Sequence, residues 1–193
     1  NGKSFISRSL SKAIAKLGKK VVLIDVDWKR GDQHKDLNRK KITIEEFENI
    51  SKDNIDKYKI SENFYLIPKI TQLDSSFQYI YSSRFVEKLN FFKSEFEYLV
   101  LDTAPILSVS DTSVLMTYSD INILLTRHGQ TKINEARQCI ALSSQVGIDF
   151  DGIIYNSYEK PSSYYGYYGL YGNYEYQYYA KKYLYSSYDY EKN

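Results

Sequence analysis

The chain has 193 residues, a formal net charge of +2 and a single cysteine. This length suffices for one domain with a single substantial core, and so small a charge gives no reason to expect a nucleic-acid partner. One cysteine, Cys139, excludes an intramolecular disulfide framework and is expected to be a buried structural thiol. His34 and His128 have no neighbours at metal-ligand spacing, so no zinc site is expected.

Helical periodicity alternates with short apolar runs along the chain, a pattern typical of an α/β domain with a mainly parallel sheet and helices on both faces. A helix over residues 3–17 is predicted from apolar residues at helical spacing: Ile6, Leu10, Ala13, Ile14 and Leu17. Gly18 is expected to end it. Further helices are predicted at 43–50, 82–96, 111–119 and 132–146. Strands are predicted at 21–25, 64–68, 98–102, 121–126 and 152–156.

Two stretches lack this alternation. Residues 29–59 are polar and highly charged, and they are interpreted as a loop region with one short helix. Its lysines and arginines could bind phosphate or an acidic group, but a solvated surface is the default expectation. From Pro161 onward periodicity disappears, and a flexible, tyrosine-rich tail is predicted. The expected organisation is therefore a folded domain over residues 1–160 followed by a tail over residues 161–193.

The first residues indicate a phosphate-binding loop. Gly2, Lys3 and Ser4, followed at once by an amphipathic helix, match the second half of the P-loop pattern G-x-x-x-x-G-K-[ST]. In that motif the helix N-terminus and backbone N–H groups bind phosphate, the lysine reaches the β and γ phosphates, and the hydroxyl is a ligand of Mg²⁺. Because the chain opens inside this motif and does not begin with methionine, we expect it to be a fragment of a longer protein.

Three aspartates follow predicted strands. Asp25 and Asp27 lie at the end of the apolar run in "VVLIDVDWKRG", and Asp102 ends the run in "YLVLDTAP". Ligands of open α/β sheets bind at the carboxyl ends of the strands, so these carboxylates could hold Mg²⁺ or polarise a nucleophile. Aspartates at such positions also cap helices, but three of them together with the P-loop predict a nucleotide site.

These motifs together resemble the bacterial tyrosine autokinases, the cytoplasmic kinase domains that control capsule and exopolysaccharide export. The likeness covers nearly the whole chain, including "SVSDTSVL" and the tyrosine-rich C-terminus. It implies a P-loop NTPase-like fold, ATP and Mg²⁺ as cofactors, Lys3 and Ser4 as phosphate and metal ligands, and Asp25 and Asp27 as the pair called Walker A′. Asp102 would be the Walker B acid.

The match has departures. The family's arginine after D-x-D aligns with Lys29, with Arg30 one place later. Some relatives carry a phosphorylated tyrosine after the next glycine, whereas here Gly31 is followed by Asp32. The resemblance leaves the roles of these positions open.

The chemistry of phosphoryl transfer to a tyrosine then suggests catalytic roles for these residues. Asp25 is predicted to be the base or orienting group for the incoming tyrosine, and Asp27 a metal ligand, although the two assignments could be exchanged. Ser4 and Asp102 would hold the metal directly or through water. Asn156 lies where related P-loop ATPases contact adenine, but it could also cap a turn.

The tail is then predicted to be the substrate. Its glycines, serines and amides keep it extended and solvated, so that many phenols can enter an active site. A low-complexity, association-prone segment is the alternative. The predicted phosphoacceptors are Tyr164, Tyr165, Tyr167, Tyr168, Tyr171, Tyr174, Tyr176, Tyr178, Tyr179, Tyr183, Tyr185, Tyr188 and Tyr190.

The family also implies partners. These are further copies in a ring-like homo-oligomer, a membrane-spanning polysaccharide co-polymerase region that is fused upstream or separate, and a cognate tyrosine phosphatase. The resemblance also implies a location at the cytoplasmic face of the bacterial plasma membrane. The chain itself has no membrane-spanning apolar run and no signal peptide, so this fragment is expected to be soluble. The rival function is that of a partitioning or cell-division ATPase, a nucleotide-dependent dimerisation switch with the same P-loop, for which the tyrosines would have no use.

Overall fold

The protein is described by a computed structural model over residues 2–71 and 75–158. These residues belong almost entirely to one compact unit, Asn1–Ser157. Its α-helices are α1 (Lys3–Lys16), α2 (Gln33–Asp36), α3 (Ile44–Glu48), α4 (Ser76–Ile80), α5 (Ser83–Glu95), α6 (Asp111–Thr117) and α7 (Ile133–Gln145), with a 3₁₀ turn at Ile55–Tyr58. Its strands are β1 (Val21–Asp25), β2 (Ile42–Thr43), β3 (Lys59–Ser61), β4 (Phe64–Ile67), β5 (Ile70–Thr71), β6 (Tyr98–Asp102), β7 (Ile123–Arg127) and β8 (Gly152–Asn156).

The main sheet has the strand order β3-β4-β1-β6. Strand β1 is parallel to both β4 and β6, and only β3 runs antiparallel. Two parallel pairs, β2 with β5 and β7 with β8, accompany it. The prediction of a mainly parallel α/β arrangement is confirmed, and the carboxyl ends of β4, β1 and β6 meet at one edge.

Both faces of this sheet are covered, as predicted. Side chains alternate between faces along a strand, so Val22 and Ile24 enter one core with the helices α3, α5 and α6, while Val21 and Leu23 enter another core against α1. All five residues of β1 are buried. This is the reason that β1 reads as an unbroken apolar run.

Helix α1 differs from its prediction in the face that it buries. Leu10 and Leu17 are 50% and 79% exposed, whereas Ser11 is fully buried. The helix contacts the second core through Ile14 and Ala15, and small side chains allow its close approach to the sheet. Burial of Ser11 is tolerated because its hydroxyl donates a hydrogen bond of 2.8 Å to the carbonyl oxygen of Ser7.

The charged stretch at residues 29–59 was predicted to hold one short helix, which is wrong. It contains both α2 and α3, and the capping box that starts α3 is formed by Thr43 and Glu46. Two of its polar side chains, Gln33 and His34, are buried, so it is not solvated throughout. The helix α4 and the short strands were also not predicted, because elements of two to five residues are too short for a periodic pattern.

The remaining predicted elements are present with boundaries shifted by three residues or fewer. Gly18 ends α1 with a φ of 79°, the left-handed conformation that glycine adopts at little cost. Cys139 is buried on α7 as expected. In the described part of the chain, no helix has the length and apolar character needed to cross a bilayer.

Candidate active site

Two aspartates lie side by side at the carboxyl edge of the sheet. Strands β1 and β6 pair in parallel, and this register places Asp25 directly opposite Asp102. Both are almost completely buried, with exposed fractions of 0% and 1%. Because neighbouring strands lie about 4.8 Å apart, the two carboxyl groups share one small volume of low polarity.

The start of α1 reaches the same volume. Gly2 precedes the helix with a φ of 89°, which favours glycine. The hydroxyl of Ser4 hydrogen bonds to Asp102, and the ammonium group of Lys3 acts on the same carboxylate electrostatically. The predicted residues Lys3, Ser4, Asp25 and Asp102 are therefore brought together.

Asp27 stands at the rim of this group. It is partly exposed, and its Oδ1 accepts a hydrogen bond of 2.9 Å from the backbone N–H of Arg30. The backbone N–H groups of Val26 and Asp27 donate to the carbonyl oxygen of Asp102 at 3.0 and 3.1 Å, which fixes the loop to β6. The negative charge of Asp27 contributes to raising the pKa of both buried aspartates.

Burial dominates the electrostatics of the pair. It raises the pKa of Asp25 to about 7, with a further contribution from the charge of Asp102. Burial also raises the pKa of Asp102, while hydrogen bonds from Ser4 and Gln33 and the charge of Lys3 work in the opposite direction. At neutral pH Asp25 therefore exchanges a proton easily, a property suited to a general base.

One oxygen of each buried aspartate has no hydrogen-bond partner, namely Oδ1 of Asp25 and Oδ1 of Asp102. An unpaired buried carboxylate oxygen is costly unless a cation or donor meets it. Within residues 2–71 and 75–158, no three His, Cys, Asp or Glu side chains form a ready-made metal site. The arrangement fits Mg²⁺, which takes one or two carboxylates and completes its octahedron with phosphate oxygens and water.

Gln33 joins these parts together, although the sequence did not predict a role for it. Its side-chain amide donates to the Ser4 carbonyl at 2.7 Å and to Oδ2 of Asp102 at 2.8 Å. Its backbone N–H donates to Oδ2 of Asp25 at 3.2 Å. One fully buried residue of α2 thus contacts the P-loop helix and both strand ends. The only signal in the sequence is an uncharged polar residue within a charged run soon after D-x-D.

Gly31 was likewise not predicted to contribute to the site. A Cβ atom at this position would lie 2.1 Å from Oδ1 and 2.5 Å from Oδ2 of Asp25. The backbone of Gly31 is held there by a hydrogen bond of 2.6 Å from its N–H to the carbonyl oxygen of Asp27. Any side chain at residue 31 would therefore displace the Asp25 carboxyl group.

Asn156 ends β8 and lies against the P-loop. Its Nδ2 is 2.7 Å from the position that a Cβ of Gly2 would occupy, so a glycine is needed there for space as well as for conformation. Its Oδ1 accepts a hydrogen bond of 2.8 Å from the backbone N–H of Ser157. The predicted contact with adenine stays a prediction. All predicted phosphoacceptors, Tyr164 to Tyr190, lie outside the described residues.

Comparison with known proteins places this geometry in a family. The model of an AAA domain matches residues 1–142. The putative tyrosine-protein kinase EpsB of Ralstonia solanacearum is 29% identical over 182 residues, covering 93% of this chain and 24% of that protein. The chain thus spans about a quarter of the length of this relative. Further curated relatives are also named as tyrosine-protein kinases.

Solved structures share the fold. The kinase domain of the Escherichia coli tyrosine kinase ETK superposes with a TM-score of 0.72 at 22% identity, covering 86% of this chain and 68% of that one. The septum site-determining protein MinD of Pyrococcus horikoshii, complexed with Mg-ADP, gives 0.61 at 17% identity, with coverages of 83% and 67%. The predicted P-loop NTPase-like fold and the resemblance to bacterial tyrosine kinases are confirmed, and the chain belongs to the AAA-domain family.

Proposed function

We propose that this chain is the catalytic domain of an ATP- and Mg²⁺-dependent protein-tyrosine kinase that phosphorylates its own C-terminal tyrosine cluster. The observation that carries the proposal is the pairing of Asp25 with Asp102, each with one unpartnered buried oxygen, beside Lys3 and Ser4. The tyrosine-kinase names of the relatives support phosphoryl transfer to tyrosine over simple hydrolysis. Regulation of capsular or extracellular polysaccharide export is the process that we infer for it.

The proposed mechanism assigns each side chain a separate task. Lys3 neutralises charge on the transferred phosphoryl group. Ser4 and Asp102 would hold Mg²⁺, which would stabilise the charge that develops on the phosphate oxygens. The phenol oxygen of the acceptor forms a bond to the γ-phosphorus as the bond to the β,γ-bridging oxygen breaks. The phenol proton passes to the Asp25 carboxylate, since a free phenol has a pKa of about 10. Asp27 helps to hold the metal from the rim.

Replacement of the P-loop lysine tests this function. Lys3→Met, in protein that carries the complete P-loop motif, should abolish ATP-dependent phosphotyrosine on an anti-phosphotyrosine blot. Lys12→Met is the matched control, because Lys12 is exposed on the same helix. Undiminished phosphotyrosine in Lys3→Met would refute the kinase assignment.

A second candidate is a nucleotide-driven dimerisation switch of the partitioning type, which the fold likeness to MinD favours. With this second function, the chain would release inorganic phosphate from ATP without forming phosphotyrosine. Measuring both products in one reaction separates the two functions. Release of inorganic phosphate without phosphotyrosine would favour the dimerisation switch, provided that Lys3→Met abolishes this release.

We further propose that tail phosphorylation controls assembly at the cytoplasmic face of the membrane, with a membrane-spanning co-polymerase region and a tyrosine phosphatase as partners. The tail is neutral as encoded, because Lys181, Lys182 and Lys192 balance Glu175, Asp189 and Glu191. Each phosphotyrosine adds a charge of about −1.5 to −2. Tails inserted into neighbouring sites would then be repelled by the buried aspartates, so phosphorylated rings should dissociate. Light scattering after size-exclusion chromatography, with and without phosphatase, measures this; identical masses would oppose it.

A further inference from the structure

A cavity of about 740 Å³ opens among loops that follow the strands of the main sheet. Trp28 and Lys29, which directly follow Asp27, form one wall. Lys69 comes two residues after the end of β4, and the 108–111 turn follows β6. Since β4, β1 and β6 are parallel neighbours, these walls lie at the edge of the sheet that carries Asp25 and Asp102. The cavity is therefore adjacent to the candidate active site but is lined by different residues.

Its lining is basic. Lys29, Lys41 and Lys69 all face the cavity, and none of them forms an ion pair within the part of the chain that the structure describes. Lys69 is only 9% exposed, and its Nζ donates to the backbone carbonyl of Lys29 at 3.3 Å. A buried ammonium group without a carboxylate partner is costly, so an anion from outside would stabilise it.

The other residues that line the cavity indicate the size and chemical character of the ligand that it could hold. Asp111 is the lining carboxylate, and it accepts a hydrogen bond of 2.5 Å from the hydroxyl of Ser76. Trp28 is packed against Tyr79 and Phe85, with ring centroids 5.8 and 5.9 Å apart. A rigid aromatic wall, three lysines and a hydroxyl-rich turn form a volume large enough for a short peptide, not only for a single ion.

We propose that this cavity binds the acidic residues that flank an acceptor tyrosine, and so selects acidic tyrosine segments as substrates. This inference rests on the proposed kinase function. The C-terminal tail offers such a segment in "SYDYE" at residues 187–191, where Asp189 and Glu191 surround Tyr190. Carboxylates held by Lys41 and Lys69 would place the neighbouring phenol at the edge of the sheet where Asp25 ends β1. The lysines act as positioning residues, and the transfer chemistry stays with the aspartates.

Trp28 gives a direct readout, because it is the only tryptophan of the 193 residues and lines the cavity. We would titrate the peptide SYDYE, and its neutral counterpart SYNYQ, into the protein without nucleotide and follow tryptophan fluorescence. The acidic peptide should change the emission, and the neutral peptide should bind at least about tenfold more weakly, a difference of about 1.4 kcal/mol.

Lys41→Gln is the test variant, because Lys41 is exposed and its replacement leaves the core intact. This variant should bind SYDYE about tenfold more weakly and SYNYQ almost as well as the unsubstituted protein does. The loss caused by Lys41→Gln and the loss caused by neutralising the peptide should therefore not add, as expected when the lysine contacts the carboxylates directly. Lys40→Gln is the matched control: the neighbouring lysine is exposed but does not line the cavity. With ATP present, Lys41→Gln should raise the KM for SYDYE and leave kcat unchanged.

Several results would overturn the inference. Equal binding of both peptides, or equal losses in Lys40→Gln and Lys41→Gln, would exclude a specific contact with carboxylates. The same emission change with inorganic phosphate at equal concentration would indicate a simple anion site. The fluorescence titration does not require catalytic turnover, so the kinase function and the peptide selectivity of the cavity are tested independently. Acidic-peptide binding without any phosphotyrosine would refute only the kinase, and phosphotyrosine formation with no peptide selectivity would refute only the cavity.

Discussion

The side-chain amide of Gln33 donates a hydrogen bond of 2.8 Å to Oδ2 of Asp102, 69 positions away in the chain. This contact occupies one oxygen of the carboxylate and leaves the other, Oδ1, without a partner. Because the same amide also donates to the Ser4 carbonyl, one side chain links α1 to the end of β6. Gln33 therefore determines which oxygen of Asp102 stays unpartnered, and its backbone N–H also contacts Asp25.

The first prediction concerns that contact. Gln33→Ala should lower the free energy of unfolding by about 1–3 kcal/mol, because Asp102 and Ser4 lose a buried donor. The pKa of Asp102 should rise further, since the Gln33 hydrogen bond lowers it. Urea unfolding measures the stability change. Gln138→Ala, at an exposed position of α7, is the control, and equal midpoints for the two variants would show that the buried contacts contribute nothing.

The second prediction concerns the glycine beneath Asp25. Gly31→Ala should destabilise the fold by about 1–3 kcal/mol, because its methyl group would overlap the Asp25 carboxyl group. Phosphotyrosine formation should fall with it. Gly152→Ala is the matched control, because its added Cβ would meet nothing nearer than Cδ1 of Ile123 at 3.5 Å. Thermal unfolding and transfer assays on both variants give the comparison, and a Gly31→Ala protein as stable and active as Gly152→Ala would contradict it.

The third prediction follows from the pKa of about 7 at Asp25. An unfolded aspartate has a pKa near 3.9, so between about pH 4 and 7 the folded protein retains a proton that the unfolded chain loses. Stability should therefore fall as pH rises through this window and level off above it. Asp25→Asn removes the effect and should be more stable than the unsubstituted protein at pH 8, by up to about 4 kcal/mol.

Urea unfolding at pH 4 and at pH 8 checks this difference, which should shrink at the lower pH. Asp53→Asn, at an exposed position, is the control and should show no such trend. In the Asp25→Asn variant, the rate of phosphoryl transfer should fall much more than the affinity for nucleotide, as expected if Asp25 is a base. An Asp25→Asn stability gain that is the same at both pH values would mean that packing, not protonation, explains it.

The fourth prediction separates the site from its substrate. Deletion of residues 162–193 should remove most phosphate incorporation and preserve ATP binding, because every nucleotide motif lies before residue 157. Mass spectrometry should place the phosphates between Tyr164 and Tyr190. Tyr98 and Tyr155 provide an internal control, since they are 47% and 53% exposed and could be modified by an unselective kinase. Phosphate chiefly on these two would refute the tail as substrate.

The sequence predicted those parts of the site that depend on local pattern. Asp25 and Asp102 end unbroken apolar runs, and a parallel sheet brings such ends together whatever the details of packing. Lys3 and Ser4 are the first two residues of α1, so their position follows from the motif. In the same way the long strands and helices were found because burial on defined faces leaves a period in the sequence.

The contribution of Gln33 could not be predicted, because it depends on contacts with residues 29 and 69 positions away. Helix α2 has four residues, too few to show a period. The face of α1 was misjudged for a related reason: Ser11 is buried where the small side chain and its own hydrogen bond allow close packing, while Leu10 is half exposed. Hydrophobicity alone does not encode such a choice.

The unpaired oxygens of Asp25 and Asp102 would also couple binding of a cation at this site to proton exchange. With a pKa of about 7, Asp25 carries a proton in roughly half of the molecules at neutral pH. A divalent cation held by the neighbouring Asp102 would lower the pKa of Asp25 and favour loss of that proton. Association with Mg²⁺ and ATP near neutral pH should therefore release protons. Its calorimetric heat would then vary with the ionisation enthalpy of the buffer, and the affinity would increase as the solution becomes more alkaline.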